Sequence, residues 1–310
     1  MPGARQSERD FIAQRLAPLA MSAAARGLAD DAAVWSPPLG RDLVLTHDVL
    51  ACGVHYLPGD PPSDIAWKLL AVNLSDLAAM GARPAGVLLG LGLSAAEDDD
   101  WRAAFTAGLG RALATFDVAL WGGDTVTGLD RAVFGLTAIG HVAPGTALSR
   151  SGARIGDAIW VSGTIGDAGL GLAMAKGEMP VDKALLNRFR RPSPRLALGR
   201  ALTGVATACM DVSDGLLIDA DRMARASNAA FAIDIGTVPV APGADRLACA
   251  TAGDDYELLF TAVPGTDIAA LAATTRTPVT RIGTVVAGAG VFAHADGVDV
   301  TPTRLGWEHR

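Results

Sequence analysis

The chain holds little cysteine: Cys52, Cys209 and Cys249 lie far apart with no C-x-x-C spacing. Neither a disulfide framework nor a zinc knuckle is indicated, and a reducing compartment fits. A basic stripe is also missing. The formal net charge is −7, so nothing stands ready to neutralise a nucleic-acid backbone. Lysine occurs only at positions 68, 176 and 183, and an anionic ligand would have to be met by metal ions or a few arginines. No apolar run approaches the ~18 residues of a membrane span. The first twenty residues mix charge with apolar positions, unlike the apolar core of a signal peptide, and a cytoplasmic location is expected. Three motif classes are absent as well: the G-x-x-x-x-G-K-[ST] phosphate loop, the kinase H-R-D and D-F-G set, and the G-x-S-x-G elbow of acyl-transfer enzymes. The common nucleotide-binding folds and serine hydrolases are thereby set aside.

What is present describes a globular protein. Half of the 310 residues are hydrophobic and 19% are charged, and that length suggests two domains. Phe11, Ile12, Leu16 and Leu19 recur at helical spacing in the first twenty residues. Short strands are expected at Ala32 to Val34 and Leu43 to Leu45, then a helix from Ile65 to Met80. A strand at Gly86 to Leu93, a helix from Trp101 to Phe116 and strands at Val118 to Trp121 and Val133 to Val142 follow. The Pro/Gly/Ser-rich stretch Ala143 to Asp157 reads as a linker. Beyond it the alternation restarts, with strands at Ala158 to Val161, Ala230 to Ile235, Tyr256 to Val263 and Val279 to Val286. Helices are expected around Gly163 to Ala175 and Leu196 to Leu202. Two α/β domains result.

The stretch MDVSDGLLIDADRM, Met210 to Met223, concentrates four carboxylates at the end of a strand running into a helix. Leu216, Leu217, Ala220, Met223 and Ala224 make that helix's buried stripe. Asp221 precedes Arg225 by four residues and Asp219 precedes Arg222 by three, the spacing of helix-surface pairs. Ser213 and Asp214 suit a helix start, which leaves Asp214 as cap, metal ligand or both. Asp211 is less easily a cap, because a second carboxylate at the same turn adds repulsion.

Comparable aspartates recur beside Gly, Ser or Thr at the ends of apolar segments: Asp30 and Asp31 in GLADDAAV, Asp48 in LTHDVL, Asp76 in NLSDLAAMGA and Asp124 in WGGDTVTG. Gathered in one cleft, such carboxylates repel unless protonated or neutralised by cations. Oxygen donors without a His/Cys cluster suit a hard ion, and Mg²⁺ typically shares phosphate oxygens. Phosphoryl transfer or hydrolysis is the chemistry that follows. Gly122 and Gly123 would let backbone N–H groups approach a phosphate, as would Ser213 at a helix start. The glycine run from Gly163 to Gly171 reads as a tight turn with close helix packing, since a lone glycine pattern is weak evidence for a phosphate cradle.

In order, DDAAV, LTHDVLACGVHY, NLSDLAAMGARP, GGDTVTG, SRSGARIGD, DVSDGL, AGDDYELLF and the terminal GWEH resemble the thiamine-monophosphate kinase family. Its superfamily includes aminoimidazole ribonucleotide synthetase and selenophosphate synthetase. The resemblance implies an α+β architecture of two α/β sandwich domains. Residues 1–145 would form an N-terminal ATP/Mg²⁺-binding sheet domain that dimerises into a homodimer, and residues 146–310 a C-terminal α/β domain. It implies ATP-dependent phosphorylation of thiamine monophosphate to thiamine diphosphate, with several Mg²⁺ ions and ATP as co-substrate. By motif, Asp30, Thr46, His47, Asp48, Asp76, Asp124, Asp211 and Asp214 correspond to metal ligands. Gly123, Asp124, Arg150 and Ser213 correspond to nucleotide contacts, and His55, Asp254 and Trp307 to thiamine-side contacts. The family usually has Thr where His47 stands, Glu where Asp254 stands and Gly where Ala29 stands. Two other readings are a sister ATP-dependent enzyme with another acceptor and a non-catalytic nucleotide-binding module. Selenide chemistry would require a reactive cysteine near the N-terminus, and none precedes Cys52.

Overall fold

The computed structural model describes residues 7–308. The first six residues of the expected N-terminal helix and His309 of GWEH lie outside that range. Two compact units result. The first runs through Leu74 and resumes from Pro84 to His141, and the second takes Ser75–Arg83 and the chain from Val142 onward.

The first unit opens with α1 (Glu8–Phe11), which loosens into a π turn at Ile12–Leu16 and a 3-10 turn at Ala17–Leu19. Pro18 in that last turn has no N–H to continue an α-helix. Strands β1 (Asp42–Ala51), β2 (Arg83–Ser94), β3 (Ala119–Leu129) and β4 (Val133–Val142) form one sheet in the order β1-β4-β2-β3. Helices α2 (Pro62–Ala79) and α3 (Asp99–Phe116) are the long helices of this half. Phe105 of α3 packs on Phe134 of β4 with ring centroids 5.4 Å apart, and Trp67 of α2 meets Phe116 of α3 at 5.0 Å.

The expected strand Ala32 to Val34 does not form. Val34 gives its N–H to the carbonyl of Ala24 instead of a sheet neighbour. Strands β1 and β3 run well past the expected Leu43 to Leu45 and Val118 to Trp121. The polar continuation of each stays in the sheet because successive side chains alternate between a buried and an open face.

In the second unit, β5 (Ala158–Ser162) leads to α4 (Asp167–Ala175), α5 (Lys183–Arg190) and α6 (Leu196–Leu202). Strand β6 (Ala206–Val212) then enters α7 (Leu216–Ala226), followed by β7 (Ala230–Asp234) and the short α8 (Arg246–Ala250). Strand β8 (Glu257–Ala262), α9 (Ile268–Thr275), β9 (Val279–Val286), β10 (Gly290–Ala295) and β11 (Val298–Asp299) complete it. The sheet order is β11-β10-β7-β9-β5-β8-β6. The pair β6–β8 is antiparallel and places Asp211 opposite Leu258 and Val212 opposite Glu257. The stripe Leu216, Leu217, Ala220, Met223 and Ala224 packs with Ile159, Val161 and Phe231 in the core of this unit.

Candidate active site

In the first unit, the alternation along β1 decides what faces where. Val44 and Leu50 are buried, whereas Leu43, Leu45, His47 and Val49 are exposed. Thr46 and Asp48 therefore share the buried side, and the Asp48 N–H donates to Asn73 Oδ1 of α2 at 3.0 Å. His47 stands on the open face with its Nδ1 2.9 Å from Thr137 Oγ1 of β4. The β2–β3 register sets Leu88 opposite Gly122 and Gly90 opposite Asp124, so Asp124 lies on a sheet face with Leu88 and Gly122.

Asp30, His47, Gly123 and Asp124 line one cavity of about 700 Å³, together with Trp35 and Trp121. Asp30 also forms an exposed 2.7 Å ion pair with Arg26. Glycine at 123 is required by the sheet itself, because a Cβ there would stand 1.9 Å from the carbonyl oxygen of Leu89. His55 lies in the turn after β1. Its Nδ1 accepts the Ala51 N–H at 3.1 Å, which leaves Nε2 as the ring's donor, and its carbonyl accepts from Lys68 Nζ at 2.9 Å.

In the second unit, the end of β6 gathers most of the remaining positions. Asp211 is buried and accepts a 2.7 Å hydrogen bond from Ser75 Oγ, next to Asp76 in the chain. The carbonyl of Ser213 accepts the Asp254 N–H at 2.7 Å, and that of Asp214 accepts the Trp307 N–H at 2.9 Å. Asp254 sits at φ 70, a left-handed conformation costly for a side chain other than glycine. Its carboxylate accepts from Tyr256 Oη at 3.3 Å. Asp211, Ser213, Asp214, Asp254 and Trp307 thus belong to one turn-centred group. Arg150 does not join it through its backbone. Its carbonyl accepts from Ser227 Oγ at 3.3 Å, beyond the far end of α7, an 11-residue helix about 16 Å long.

Asp214 does not cap α7. The N-cap is Gly215, with φ 129 and no side-chain cap bond. The Asp214 carboxylate instead receives Arg222 Nη1 at 2.5 Å. Asp219, expected on a solvated helix face, is fully buried. Its Oδ2 accepts the N–H groups of Ser213 and Asp214, both at 3.0 Å, and Arg222 Nη1 reaches its Oδ1 at 2.8 Å. Burial pushes the Asp219 carboxyl up to about 6, opposed by those hydrogen bonds and the guanidinium. The companion pair does stand on the surface, with Arg225 Nε 2.6 Å from Asp221.

Two more buried acids escaped the sequence reading. Asp255 accepts the N–H groups of Gly166 and Ala168 at 2.7 and 3.2 Å, so the glycine turn before α4 embraces an internal carboxylate. Burial holds that carboxyl well above the usual range. Glu257, fully buried, is met by Arg188, Arg195 and the Ser162 hydroxyl. Their signal was the acidic run in AGDDYELLF, three acids at the start of a strand whose interior is apolar.

Among the described residues, no three His, Cys, Asp or Glu side chains are already gathered as a metal site, and no helix is long and apolar enough to cross a membrane. Residues 29–142 match the family model described as AIR synthase related protein, N-terminal domain, and residues 154–296 the corresponding C-terminal domain. The thiamine-monophosphate kinase of Caulobacter vibrioides is 42% identical over 319 residues, covering 98% of this chain and 91% of the relative. A crystal structure of thiamine-monophosphate kinase from Stenotrophomonas maltophilia K279a superposes with a TM-score of 0.79 at 42% identity, over 87% of this chain and 90% of that one. A structure described as AaThiL complexed with AMPPCP and TMP has a TM-score of 0.76 at 28% identity, with 99% of each chain covered.

Proposed function

The chain belongs to the thiamine-monophosphate kinase family, and we propose that two groups of its residues, one in each unit, carry that family's reaction. The protein transfers the γ-phosphoryl group of ATP to the phosphate of thiamine monophosphate, giving thiamine diphosphate and ADP. One local observation carries the assignment of residues. The turn after β6 ties Asp211, Ser213 and Asp214 to Asp254 and Trp307 through the backbone bonds of Ser213 and Asp214. Residues expected to contact nucleotide and residues expected to contact thiamine therefore share one turn.

The reaction makes modest demands on acid–base chemistry. A phosphate monoester has its second pKa near ~6, so the attacking oxygen is already ionised at neutral pH. A bond forms between that oxygen and the γ-phosphorus, while the bond from the γ-phosphorus to the β,γ-bridging oxygen breaks and ADP departs. Positioning and charge neutralisation can supply the catalysis. Mg²⁺, when bound, supplies that neutralisation. The donors we assign to it are Asp30, Asp48, Asp76, Asp124, Asp211, Asp214, Thr46 and the backbone carbonyl of His47. An oxygen-only set suits this ion, which completes its shell with water and phosphate. A site that is finished only by the nucleotide has no need of three carboxylates already in contact. Gly123, Asp124, Arg150 and Ser213 are assigned to the nucleotide, and His55, Asp254 and Trp307 to thiamine monophosphate. Residues 1–145 would then serve ATP, metal and self-association, and residues 146–310 would form the second domain.

A homodimer is part of the same reading. Leu43, Leu45 and Val49 of β1 are exposed on one face of the first sheet, and Leu88, Val126 and Val133 are exposed on its other strands. Apolar area of this kind is the material of a sheet-to-sheet interface between two copies.

The test is direct. Purified protein with Mg²⁺, ATP and thiamine monophosphate is expected to form thiamine diphosphate, and Asp211→Asn or Asp124→Asn to abolish it. Wild-type protein that binds ATP and phosphorylates a different acceptor would replace this reading with a sister enzyme.

A further inference from the structure

We infer that Asp219 is a positioning residue for the phosphate-and-metal turn, acting through Arg222 on Asp214. This rests on the reading of Asp214 as a metal ligand. The geometry has two parts. One Asp219 oxygen takes the N–H groups of both Ser213 and Asp214 at 3.0 Å, which fixes the backbone that carries those side chains. The other oxygen takes Arg222 Nη1 at 2.8 Å. The same nitrogen lies 2.5 Å from Asp214 Oδ2. One guanidinium nitrogen is therefore shared between a fully buried carboxylate and one whose side chain is 24% exposed.

That sharing has a consequence for any cation that binds Asp214. Arg222 holds Oδ2 of the carboxylate that a divalent ion would use, so the ion must compete with its charge. Asp219 keeps a permanent hold on Arg222 and leaves the guanidinium a partner when Asp214 turns to a metal. Without that hold Arg222 would place its whole charge on Asp214. Removing the anionic character of Asp219 should thus weaken divalent binding, although Asp219 itself need never touch metal, nucleotide or thiamine monophosphate. Residues one shell outside a metal commonly change its affinity by about 10–100-fold. The two N–H groups that Asp219 takes lie just ahead of the N-cap Gly215, which makes no side-chain cap bond.

The test is a Mg²⁺ titration of the binding of a β,γ-methylene ATP analogue to the full chain, read by calorimetry, with thermal unfolding in parallel. Asp219→Asn retains a carbonyl oxygen for the two N–H groups but offers no charge to Arg222. It is expected to need about tenfold more Mg²⁺ for half-maximal analogue binding. Arg222→Gln is expected to need no more than wild type, and the double variant Asp219→Asn/Arg222→Gln to return to within about threefold of it. A wild-type Mg²⁺ requirement in Asp219→Asn overturns the inference, as does a double variant as weak as the single. Should Asp219→Asn fail to fold, Arg222→Gln decides: a tenfold higher Mg²⁺ requirement overturns the inference, and a requirement at or below wild type supports it. Asp214→Asn separates the two readings. If it binds as wild type does, the ligand role of Asp214 falls and the inference with it. If it is tenfold weaker while Asp219→Asn is unchanged, only the inference falls.

Discussion

The backbone N–H of Trp307 donates to the carbonyl oxygen of Asp214 at 2.9 Å. The C-terminal segment is thus held to the acidic turn by its main chain, and the indole is left 49% exposed. Arg304 lies over that ring at 5.8 Å from its centroid. A side chain held in place by its backbone, with half its surface open, is suited to stacking on a planar heterocycle.

Trp307→Ala is therefore expected to act on thiamine monophosphate rather than on the fold. Stacking of a base on an aromatic ring is worth about 1–3 kcal/mol, so KM for thiamine monophosphate should rise about tenfold or more. The same change should cost under about 1 kcal/mol of stability, because the side chain is only partly buried. Steady-state kinetics with ATP saturating, set beside urea unfolding, checks both. An unchanged KM would return Trp307 to the role of a tail anchor.

The open face of the first sheet makes a second prediction. Leu45 is 63% exposed and Val126 is 51% exposed, so a carboxylate at either position costs the folded monomer little. In a dimer that buries this face, the same carboxylate would lie unpaired in an apolar interface, a cost of several kcal/mol. Leu45→Asp and Val126→Asp are expected to sediment as monomers at concentrations where wild type is a dimer. Wild-type protein that is monomeric throughout would refute the interface.

Gly123 offers a case in which the glycine serves the sheet as well as a ligand. A Cβ would fall 1.9 Å from the Leu89 carbonyl oxygen, and Leu89 is the residue paired with Gly123. Gly123→Ala is expected to destabilise by more than the ~1–3 kcal/mol of ordinary overpacking, because the clashing atom is backbone and cannot rotate away. Soluble yield and chemical unfolding measure this. A variant as stable as wild type would show that the strands separate at no cost.

Much of the fold was legible because it follows periodicity. The expected Val133 to Val142 strand and the stripe on α7 carried unbroken patterns, and the structure has both. The site was less legible where a local rule met tertiary packing. Asp219 and Arg222 have the spacing of a surface pair, yet α7 turns Asp219 inward beneath a helix start that has only Gly215 as its cap. Spacing along a helix says which residues are neighbours, and burial decides what their charges do. Similarly, Thr46, His47 and Asp48 are adjacent in sequence and correspond by motif to metal ligands. The two-residue period of β1 sends His47 to one face and its neighbours to the other. The glycine turn before α4 was expected to serve packing, and Gly163 does abut Glu257. That it also receives Asp255 could not be read from either segment alone.

Glu257 supplies the last prediction. Its side chain is fully buried, and Arg188 Nη2 and Arg195 Nη2 both reach Oε1 at 2.5 Å, while each arginine side chain is only 20% exposed. Arg195 Nε and Ser162 Oγ take the second oxygen. Replacing the acid by Ala removes the carboxylate from two mostly buried cations and leaves Arg188 only its longer 3.7 Å contact with Asp167, and breaking a buried pair in this way costs about 3–5 kcal/mol. Glu257→Gln keeps the volume and one acceptor oxygen, so it should cost less. Because buried pairs are weakly screened, the loss in Glu257→Ala should persist in high salt, unlike that of a surface pair such as Asp221–Arg225. Urea unfolding at low and high ionic strength distinguishes the two. Glu257 begins β8, three residues after Asp254, so the same variant should also loosen the turn that presents Asp254. A Glu257→Ala protein with wild-type stability would mean that Arg188 and Arg195 find solvent or other acceptors at no cost.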